Sequence, residues 1–197
     1  MDASFQDRKV VITGAAGVYG TELAGAFADA GATLCLSDVR PDALATLTRQ
    51  LALPPGRLLT HETDLTREES IQDLVSTVTA AWQAPDVVIN NAGIYPFGGL
   101  LEIDVELWDR VMATNLRAPF LVMQGFAEAM IANRVTGCFV NVSSGAADNL
   151  RTSGVPYCVS KRALEWLSEG FALDLGKDGI RVNCVRPGFA AGSALVS

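Results

Sequence analysis

Short runs of consecutive apolar residues alternate along the chain with longer segments in which apolar residues recur at helical spacing. Continuous apolar runs are typical of strands buried on both faces of a parallel sheet, and the longer segments are typical of amphipathic helices. The runs predict strands over residues 9–13, 33–38, 58–61, 86–90, 137–143 and 180–185. The segments between them predict helices over residues 14–30, 41–51, 68–82, 105–133 and 156–177.

Regular alternation of strand and helix predicts an α/β fold, a doubly wound parallel sheet of the Rossmann type with about six parallel strands. No linker, internal repeat or low-complexity tract interrupts the alternation, so residues 1–197 are predicted to form a single domain. Pro119 predicts a bend in the long helical region 105–133, because proline cannot donate a helical hydrogen bond.

Polar and small residues gather where the predicted strands end. Ligands of doubly wound sheets bind in the crevice beyond the carboxyl ends of the strands. We therefore expect the residues that follow the first five strands to share one site. They are the glycine turn 14–20, Asp38, Asp64, the segment 90–93, and Ser143 with Ser144.

The turn after the first strand carries three glycines, Gly14, Gly17 and Gly20. Glycines allow a tight turn and a close approach of the backbone to a pyrophosphate, which then binds at the N-terminus of the following helix. A glycine cluster alone also fits a plain strand-to-helix turn. Here it follows a strand, opens a helix and precedes Asp38, eighteen residues beyond Gly20, which favours a dinucleotide-binding loop.

Asp38 ends the second strand, where a carboxylate can accept hydrogen bonds from an adenosine ribose and would repel a 2′-phosphate. We therefore expect NAD as the cofactor rather than NADP. Arg40 argues against this choice, because an arginine can pair with that phosphate. Asp64 fits two roles equally well, an N-cap of the helix that begins at Glu68 or a contact to adenine.

Composition narrows the class of protein. Of the 197 residues 49% are hydrophobic, which is ordinary for a globular α/β protein. The net charge of −7 argues against a nucleic-acid partner or an anionic membrane surface, since neither would be attracted. No apolar run is long enough to span a bilayer, and the N-terminus lacks the features of a secretory signal. The four cysteines are far apart, which favours reduced thiols in a cytoplasmic protein over disulfides or a metal site.

Tyr157 and Lys161 are four residues apart on the predicted helix that begins at Pro156. That spacing places a phenol and an ammonium one turn apart on one helix face, as a candidate acid/base pair. Such a pair also occurs by chance on many helices, so the spacing alone decides nothing.

Further motifs accompany this pair in a fixed order. They are the glycine turn, Asp64, Asn90-Asn91-Ala92-Gly93, Asn115, Ser144, Tyr157 with Lys161, Arg181-Val182-Asn183, and Pro187-Gly188. Together they resemble the motifs of the classical short-chain dehydrogenase/reductase family, over residues from about 8 to 188. The resemblance implies a dinucleotide-binding catalytic domain and an oxidoreductase that oxidises an alcohol or reduces a ketone with NAD(P) and no metal.

The resemblance implies four catalytic residues: Tyr157 as the acid/base, Lys161 as its activator and a ligand of the nicotinamide ribose, Ser144 as the holder of the substrate oxygen, and Asn115 as support for a water relay. A tyrosine pKa near 10 has to fall by about 3 for the phenol to act near neutrality, and a positive charge at about 4 Å supplies roughly the required energy. Ser144 also fits a strand-end turn, and Asn115 a helix-bending polar residue.

The same resemblance implies a set of cofactor contacts along the whole carboxyl edge. They are Gly14, Gly17, Val18, Tyr19, Gly20, Asp38, Asp64, Leu65, Asn91, Ala92, Gly93, Tyr157, Lys161, Pro187 and Gly188. His61, the single histidine, lies on a short predicted strand and is expected to be structural.

Three features depart from the family pattern. Val18 stands where members usually carry a glycine, with Gly17 one place earlier, a spacing closer to the extended branch that modifies sugar nucleotides. Gly192, beside Ser193, stands where a threonine usually holds the nicotinamide amide. The sequence ends at Ser197, without the family's lid and last strand, so we expect a truncated form of a longer enzyme or a partner chain that covers the exposed sixth strand.

Substrate and partners are predicted by analogy with the family. Residues 94–97 and 149–155 would flank an apolar or aromatic secondary alcohol or its ketone, although ordinary loop packing explains them equally well. The helices over 105–133 and 156–177 resemble those that pair subunits, so a homodimer or homotetramer is expected. Two alternative functions stay open: a non-catalytic NAD(P)-binding regulatory protein, and a sugar-nucleotide epimerase or dehydratase favoured only by the glycine spacing.

Overall fold

A computed structural model describes residues 4–188 and has strands and helices in the predicted alternation. The strands are β1 (Lys9–Thr13), β2 (Thr33–Asp38), β3 (Leu58–Glu62), β4 (Val87–Asn90), β5 (Cys138–Val142) and β6 (Arg181–Val185). The helices are α1 (Val18–Asp29), α2 (Pro41–Leu51), α3 (Glu68–Trp82), α4 (Val105–Met112), α5 (Ala118–Ala132) and α6 (Val155–Leu175). A π-helical segment, Ala113–Arg117, joins α4 to α5.

The strands form one parallel sheet in the order β3-β2-β1-β4-β5-β6. From β1 the chain adds β2 and β3 on one side of the sheet, and it then returns to add β4, β5 and β6 on the other side. A crevice therefore opens at the carboxyl ends of β1 and β4, where doubly wound folds bind their ligands. This topology confirms the predicted fold class. Within the described range β6 pairs only with β5, and its Arg181 and Val185 are exposed.

Two apolar layers cover the sheet, one on each face. Val11 contributes to the layer under α3, α5 and α6, which also contains the fully buried Phe126. Val10 and Ile12 contribute to the opposite layer, under α1 and α2. Successive side chains of a strand point to opposite faces, which is why the continuous apolar run of β1 is buried on both.

The long helical region departs from its predicted form. The N–H of Ala118 donates to the carbonyl of Ala113, which is the longer hydrogen bond of a π-helix. Pro119 lies in the first turn of α5, where its missing N–H costs little. The irregularity therefore precedes Pro119 instead of centring on it. Across residues 4–188, no helix combines the length and apolar character needed to cross a membrane.

Candidate active site

The turn between β1 and α1 packs so closely on the segment after β4 and on itself that two of its glycines leave no room for a side chain. Gly14 has a left-handed φ of +62°, and a Cβ there would lie 2.7 Å from Cα of Ala92. A Cβ on Gly20 would lie 2.2 Å from the carbonyl oxygen of Gly14. Gly17 is the N-cap of α1, and among the described residues no side chain caps that helix. The first N–H groups of α1 are therefore available to an anion.

A cavity of about 690 Å³ opens beside the glycine turn, along the carboxyl ends of β1 to β4. It brings together most of the residues predicted to contact the cofactor. Those that line it are Gly14, Gly17, Val18, Tyr19, Asp38, Asp64, Leu65, Asn91, Ala92 and Gly93. Gly20 is buried beneath the turn, where it packs against Gly14 and Ala15.

Asp38 is buried at the end of β2, and both of its carboxylate oxygens are engaged. One oxygen accepts a hydrogen bond from the N–H of Ala16 at 3.0 Å, which fixes the carboxylate against the glycine turn. The Arg40 guanidinium binds both oxygens, at 2.9 and 3.2 Å. This hydrogen-bonded pairing raises the pKa of Arg40. The local charge at the predicted ribose site is thus balanced.

Asp64 forms a local turn and does not cap α3. Its Oδ1 accepts hydrogen bonds from the N–H and the hydroxyl of Thr66, at 2.9 and 2.6 Å, and these bonds lower the pKa of Asp64. The N-cap of α3 is Arg67, so the predicted N-cap alternative for Asp64 is wrong. Nearby, the ring nitrogens of His61 contact Thr63 at 2.8 Å and Asp73 at 3.1 Å, contacts that link β3 to α3.

The end of β4 is tied to the glycine turn by Asn91. Its side-chain nitrogen donates to the carbonyls of Thr13 and Gly14, each at 3.0 Å. Two residues on, a Cβ at Gly93 would lie 3.3 Å from Nζ of Lys161. Gly93 thus lets the lysine approach the end of the strand.

Asn115 lies in the π-helical segment and is fully buried. Its Oδ1 accepts from the N–H of Ile94 and its Nδ2 donates to the carbonyl of Ile94, both at 2.9 Å. Nδ2 also donates to Oγ of Ser160 on α6 at 3.1 Å. Asn115 therefore joins three segments of the site, and the π-helical turn places its amide where a regular helix would not.

A second cavity, of about 500 Å³, adjoins the first and contains the predicted acid/base pair. It is lined by Tyr19, Gly93, Ile94, Tyr95, Ser144, Tyr157, Lys161, Pro187 and Gly188. The hydroxyl of Tyr19 donates to the carbonyl of Gly188 at 2.7 Å, so the glycine turn and the segment after β6 meet across the cavity. The positions of interest at Gly192 and Ser193 lie outside the described residues.

Tyr157 lies in the first turn of α6, and its hydroxyl shares a hydrogen bond with Ser144. Ser144 follows β5 and also accepts a hydrogen bond from the N–H of Ala146 at 3.1 Å. The ring of Tyr95 meets that of Tyr157 edge to face, with centroids 4.4 Å apart. The predicted Ser144 and Tyr157 are thus in direct contact on one wall of the cavity.

Lys161 is buried one turn beyond Tyr157. Its Nζ donates to the carbonyl of Val142 at 2.7 Å and lies 5.7 Å from the centroid of the Tyr157 ring. Burial lowers the pKa of Lys161 to about 8. The lysine is therefore mostly charged below about pH 8 and mostly neutral above it.

The pKa of Tyr157 does not follow the sequence-based expectation. Burial raises it, and the hydrogen bond from Ser144 opposes that rise without overcoming it. The expected lowering by Lys161 is wrong for the protein alone, because the ammonium is directed to the carbonyl of Val142 and its own charge is disfavoured by burial. Activation of the phenol therefore requires Lys161 to be charged and directed towards it, which burial and the hydrogen bond to Val142 oppose in the protein alone.

We expect the burial of Lys161 to make stability depend on pH. Its pKa falls from 10.5 in the unfolded chain to about 8 in the folded one, so the cost of burying the charge is fully present below pH 8. Stability then rises between pH 8 and 10.5, because the unfolded chain holds more protons, by about 3 kcal/mol in total. The measurement is denaturant unfolding of the wild type and of Lys161→Met at each pH. Subtracting the variant removes the other titrating groups, and a pH-independent difference would contradict the expectation.

The sequence did not reveal the contacts of Glu165 and Arg186. Glu165 lies one turn beyond Lys161, and its carboxylate binds Ser143 and Arg186. Its spacing of four residues from Lys161 is a signal that places it on the same helix face. Nothing in the sequence pattern pairs it with Arg186, which follows β6.

Comparison with known proteins places the chain among relatives of one kind. The family model described as short chain dehydrogenase matches residues 8–196. The short chain dehydrogenase/reductase dpchG of Colletotrichum higginsianum is 30% identical over 93% of this chain and 69% of its own length. An NAD-dependent glycerol dehydrogenase of Listeria innocua is also 30% identical, over 94% of this chain and 72% of its own length.

Solved structures agree with the sequence relatives. The crystal structure of a metagenomic short-chain oxidoreductase in complex with NADP superposes with a TM-score of 0.86 and 34% identity, covering 96% of this chain and 84% of that one. The family match over nearly the whole sequence and this structural likeness together show the family of the protein. The chain belongs to the classical short-chain dehydrogenase/reductase family of oxidoreductases.

Proposed function

We propose that the chain interconverts a secondary alcohol and its ketone by hydride transfer with a nicotinamide dinucleotide, with Tyr157 as the acid/base. The observation that carries this proposal is the second cavity, in which Ser144, Tyr157 and Lys161 lie together beside the glycine turn. A phenol that contacts a hydroxyl and faces a buried amine is suited to hold an alcohol oxygen and move its proton.

The residues present fit a dinucleotide. Gly14 and Gly20 allow the turn to fold tightly, because a Cβ at Gly14 would meet Ala92 and a Cβ at Gly20 would meet the carbonyl oxygen of Gly14. The N-terminus of α1 suits the pyrophosphate, the first cavity extends from there to Asp38, and the adjoining second cavity contains Tyr157. When bound, the nicotinamide ring supplies the acceptor or donor of hydride.

Each catalytic residue has a role that its contacts support. Ser144 would hold the substrate oxygen, since its hydroxyl already binds that of Tyr157. Tyr157 would take the alcohol proton or return it to the ketone oxygen. Lys161 would bind the nicotinamide ribose and, when charged, lower the pKa of the phenol, with Asn115 fixing the adjacent backbone of Ile94. The positive charge of an oxidised nicotinamide would favour the phenolate further.

The buried Asp38 supports NAD as the preferred cofactor, because a 2′-phosphate would approach its carboxylate. Its pairing with Arg40 weakens this preference, since the guanidinium is half exposed and could turn to a phosphate. The cofactor preference thus depends on whether Arg40 stays paired with Asp38, which favours NAD, or turns to a 2′-phosphate, which favours NADP.

We expect Asp38→Asn to shift the cofactor preference. The substitution removes a negative charge and loosens Arg40, so the ratio of kcat/KM with NADP to kcat/KM with NAD should rise about tenfold. Asp42→Asn is the matched control, because it removes an exposed carboxylate on the adjacent α2. A wild type that prefers NADP, or an unchanged ratio in Asp38→Asn, would contradict the assignment.

The walls of the second cavity favour an apolar or aromatic substrate. Tyr95 contacts both Tyr157 and Phe97 edge to face, at centroid distances of 4.4 and 4.7 Å. A Cβ on Gly154 would lie 2.9 Å from the Tyr95 hydroxyl, so the loop after β5 closes directly over this ring. Phe97, beside Tyr95 in the ring contact, and Leu150, between the lining residues Asn149 and Arg151, are largely exposed, and apolar substituents of a substrate could cover them.

We also propose a homo-oligomer. A groove of about 800 Å³ along α4, the π-helical segment and α5 is lined by the apolar Met112, Leu116, Phe120 and Leu167 and by the charged Asp109, Arg110 and Arg117. Phe120 in this groove and Trp108 on α4 are both more than a third exposed. Large apolar side chains exposed in this way are typical of subunit interfaces. Light scattering would give the mass in solution.

A cytoplasmic location is proposed on the state of the thiols. Cys35, Cys138, Cys158 and Cys184 are all free in the described structure. Burial raises the pKa of Cys35 to about 12, so that thiol is protected from oxidation and exchange. Free thiols of this kind are typical of reducing compartments.

The experiment that tests the function is a screen of ketones and secondary alcohols that follows the absorbance of NADH. Turnover of an apolar or aromatic member supports the proposal. Cofactor binding without turnover of any member would favour a regulatory protein. Tightly retained cofactor with activity on a nucleotide sugar would favour an epimerase or dehydratase. Either result would overturn the proposed function.

A further inference from the structure

Both carboxylate oxygens of Glu165 accept hydrogen bonds from other side chains of the protein. Its side chain is 8% exposed. Oε1 accepts hydrogen bonds from Oγ of Ser143 and Nε of Arg186, each at 2.7 Å. Oε2 accepts from Nη2 of Arg186 at 2.6 Å. The arginine therefore binds in the bidentate geometry that fixes both distance and orientation.

Each of the joined residues is next to the candidate active site. Ser143 directly precedes Ser144, and Arg186 directly precedes Pro187 and Gly188. Glu165 lies on α6, the helix that carries Tyr157. A single carboxylate thus joins three of the segments that line the second cavity.

The network extends to the turn that follows Ser144. Nη1 of Arg186 contacts the carboxylate of Asp148, which also accepts from Nη1 of Arg162 at 3.0 Å. Asp148 ends the short helical turn Gly145–Ala147. Both ends of the segment that holds Ser144 are therefore attached, one to Glu165 and the other to Arg186.

Stability alone does not explain such a pair. Arg186 is 44% exposed, so only the Glu165 carboxylate is taken out of water, and the cost of burying a carboxylate is often not recovered by its attraction to a partner. The hydrogen bonds from Arg186 and Ser143 lower the pKa of Glu165, so the carboxylate stays charged at neutral pH. Side chains also join β5, α6 and β6 further along, through Asn141, Ser168 and Cys184, and the pair adds a fixed geometry at the carboxyl ends of the strands, next to the second cavity.

We propose that the Glu165–Arg186 pair is a positioning element that holds Ser144 and the Pro187–Gly188 segment in register with Tyr157. The proposal rests on the proposed function, because it takes Ser144 and Tyr157 to hold the reacting oxygen. Glu165 touches neither substrate nor cofactor in this role and acts through Ser143 and Arg186.

The kinetic test uses Glu165→Gln, Arg186→Met and the double variant, measured well below their melting temperatures. Loss of positioning should lower kcat about ten- to hundredfold and change KM and the cofactor Kd by less than about threefold. Because the two residues act as a unit, the double variant should be no slower than the slower single one. Asp174→Asn on the same helix, which breaks an exposed pair with Lys177 just beyond the helix end, is the matched control and should leave kcat unchanged.

A second readout does not depend on turnover. The hydrogen bond from Ser144 opposes the rise in the pKa of Tyr157, so a displaced Ser144 should raise that pKa further. Carbon-13 NMR of labelled tyrosine measures the titration in the protein without cofactor, and Tyr157→Phe assigns the resonance among the three tyrosines. Glu165→Gln should raise the pKa of Tyr157, and so should Ser143→Ala, which breaks the same link without changing charge.

The outcomes separate the two proposals. An unchanged kcat together with an unchanged phenol titration would overturn the positioning role. A fall in kcat that only follows the unfolded fraction, as measured by circular dichroism, would show a purely structural role and would also overturn it. If the wild type turns over no alcohol or ketone, the proposed function fails, and a raised phenol pKa in both variants would still support positioning.

Discussion

Tyr157→Phe should lower kcat/KM for the alcohol or ketone about a thousandfold, the size of a lost general acid/base. The substitution removes the hydroxyl that contacts Ser144 and retains the ring that packs against Tyr95. The cofactor lies mostly along the glycine turn and the first cavity, so its Kd should stay within about threefold of wild type. Steady-state kinetics and calorimetric titration of NAD measure the two quantities.

Tyr95→Phe is the matched control. It removes a hydroxyl from the neighbouring ring, and among the described residues that buried hydroxyl has no hydrogen-bond partner. We therefore expect near wild-type turnover and unchanged or improved stability. Turnover by Tyr157→Phe close to that of wild type would remove Tyr157 from the chemistry.

Lys161→Met should lower kcat by at least about a hundredfold and weaken cofactor binding about tenfold. Burial raises the pKa of the phenol in the protein alone, so a nearby positive charge is needed to form the phenolate. Lys161 is the residue on α6 that can supply it, since its Nζ lies 5.7 Å from the ring centroid. We also expect an inflection near pH 8 in the pH profile of kcat for wild type, and its loss in Lys161→Met.

The control for this substitution is Lys177→Met, which removes a lysine that is 71% exposed just beyond the same helix. Its kinetics should match those of wild type. A Lys161→Met enzyme that binds and turns over like wild type would show that the tyrosine is activated by another group.

The fold could be predicted from the sequence because the patterns of apolar residues that define its strands and helices are local. The run Val10–Ile12 is apolar at every position, which requires burial on both faces, and the structure places Val10 and Val11 in opposite layers. The π-helical turn at Asn115 could not be predicted, since it depends on contacts with Ile94 and Ser160 from distant segments. Local periodicity contains no information about such partners.

The candidate site was predictable in position and less so in chemistry. The rule that ligands bind at the carboxyl ends of parallel strands placed Asp38 and Ser144 in one crevice, and the structure brings them to adjoining cavities. The pKa of Tyr157 was predicted in the wrong direction, because its burial and the orientation of Lys161 are three-dimensional properties. Arg40 was considered only as a partner of a 2′-phosphate, and its pairing with Asp38 was not predicted. The sequence does not show which partner a guanidinium binds.

Deuterium transfer tests the proposed reaction at the level of atoms. A secondary alcohol from the screen, deuterated at its carbinol carbon, is incubated with the protein and NAD, and the reduced cofactor is analysed by mass spectrometry and NMR. We predict that wild type transfers the deuterium to the nicotinamide ring while Tyr157→Phe binds NAD and transfers almost none. Reduced cofactor without deuterium, or equal transfer by wild type and Tyr157→Phe, would contradict hydride transfer assisted by Tyr157.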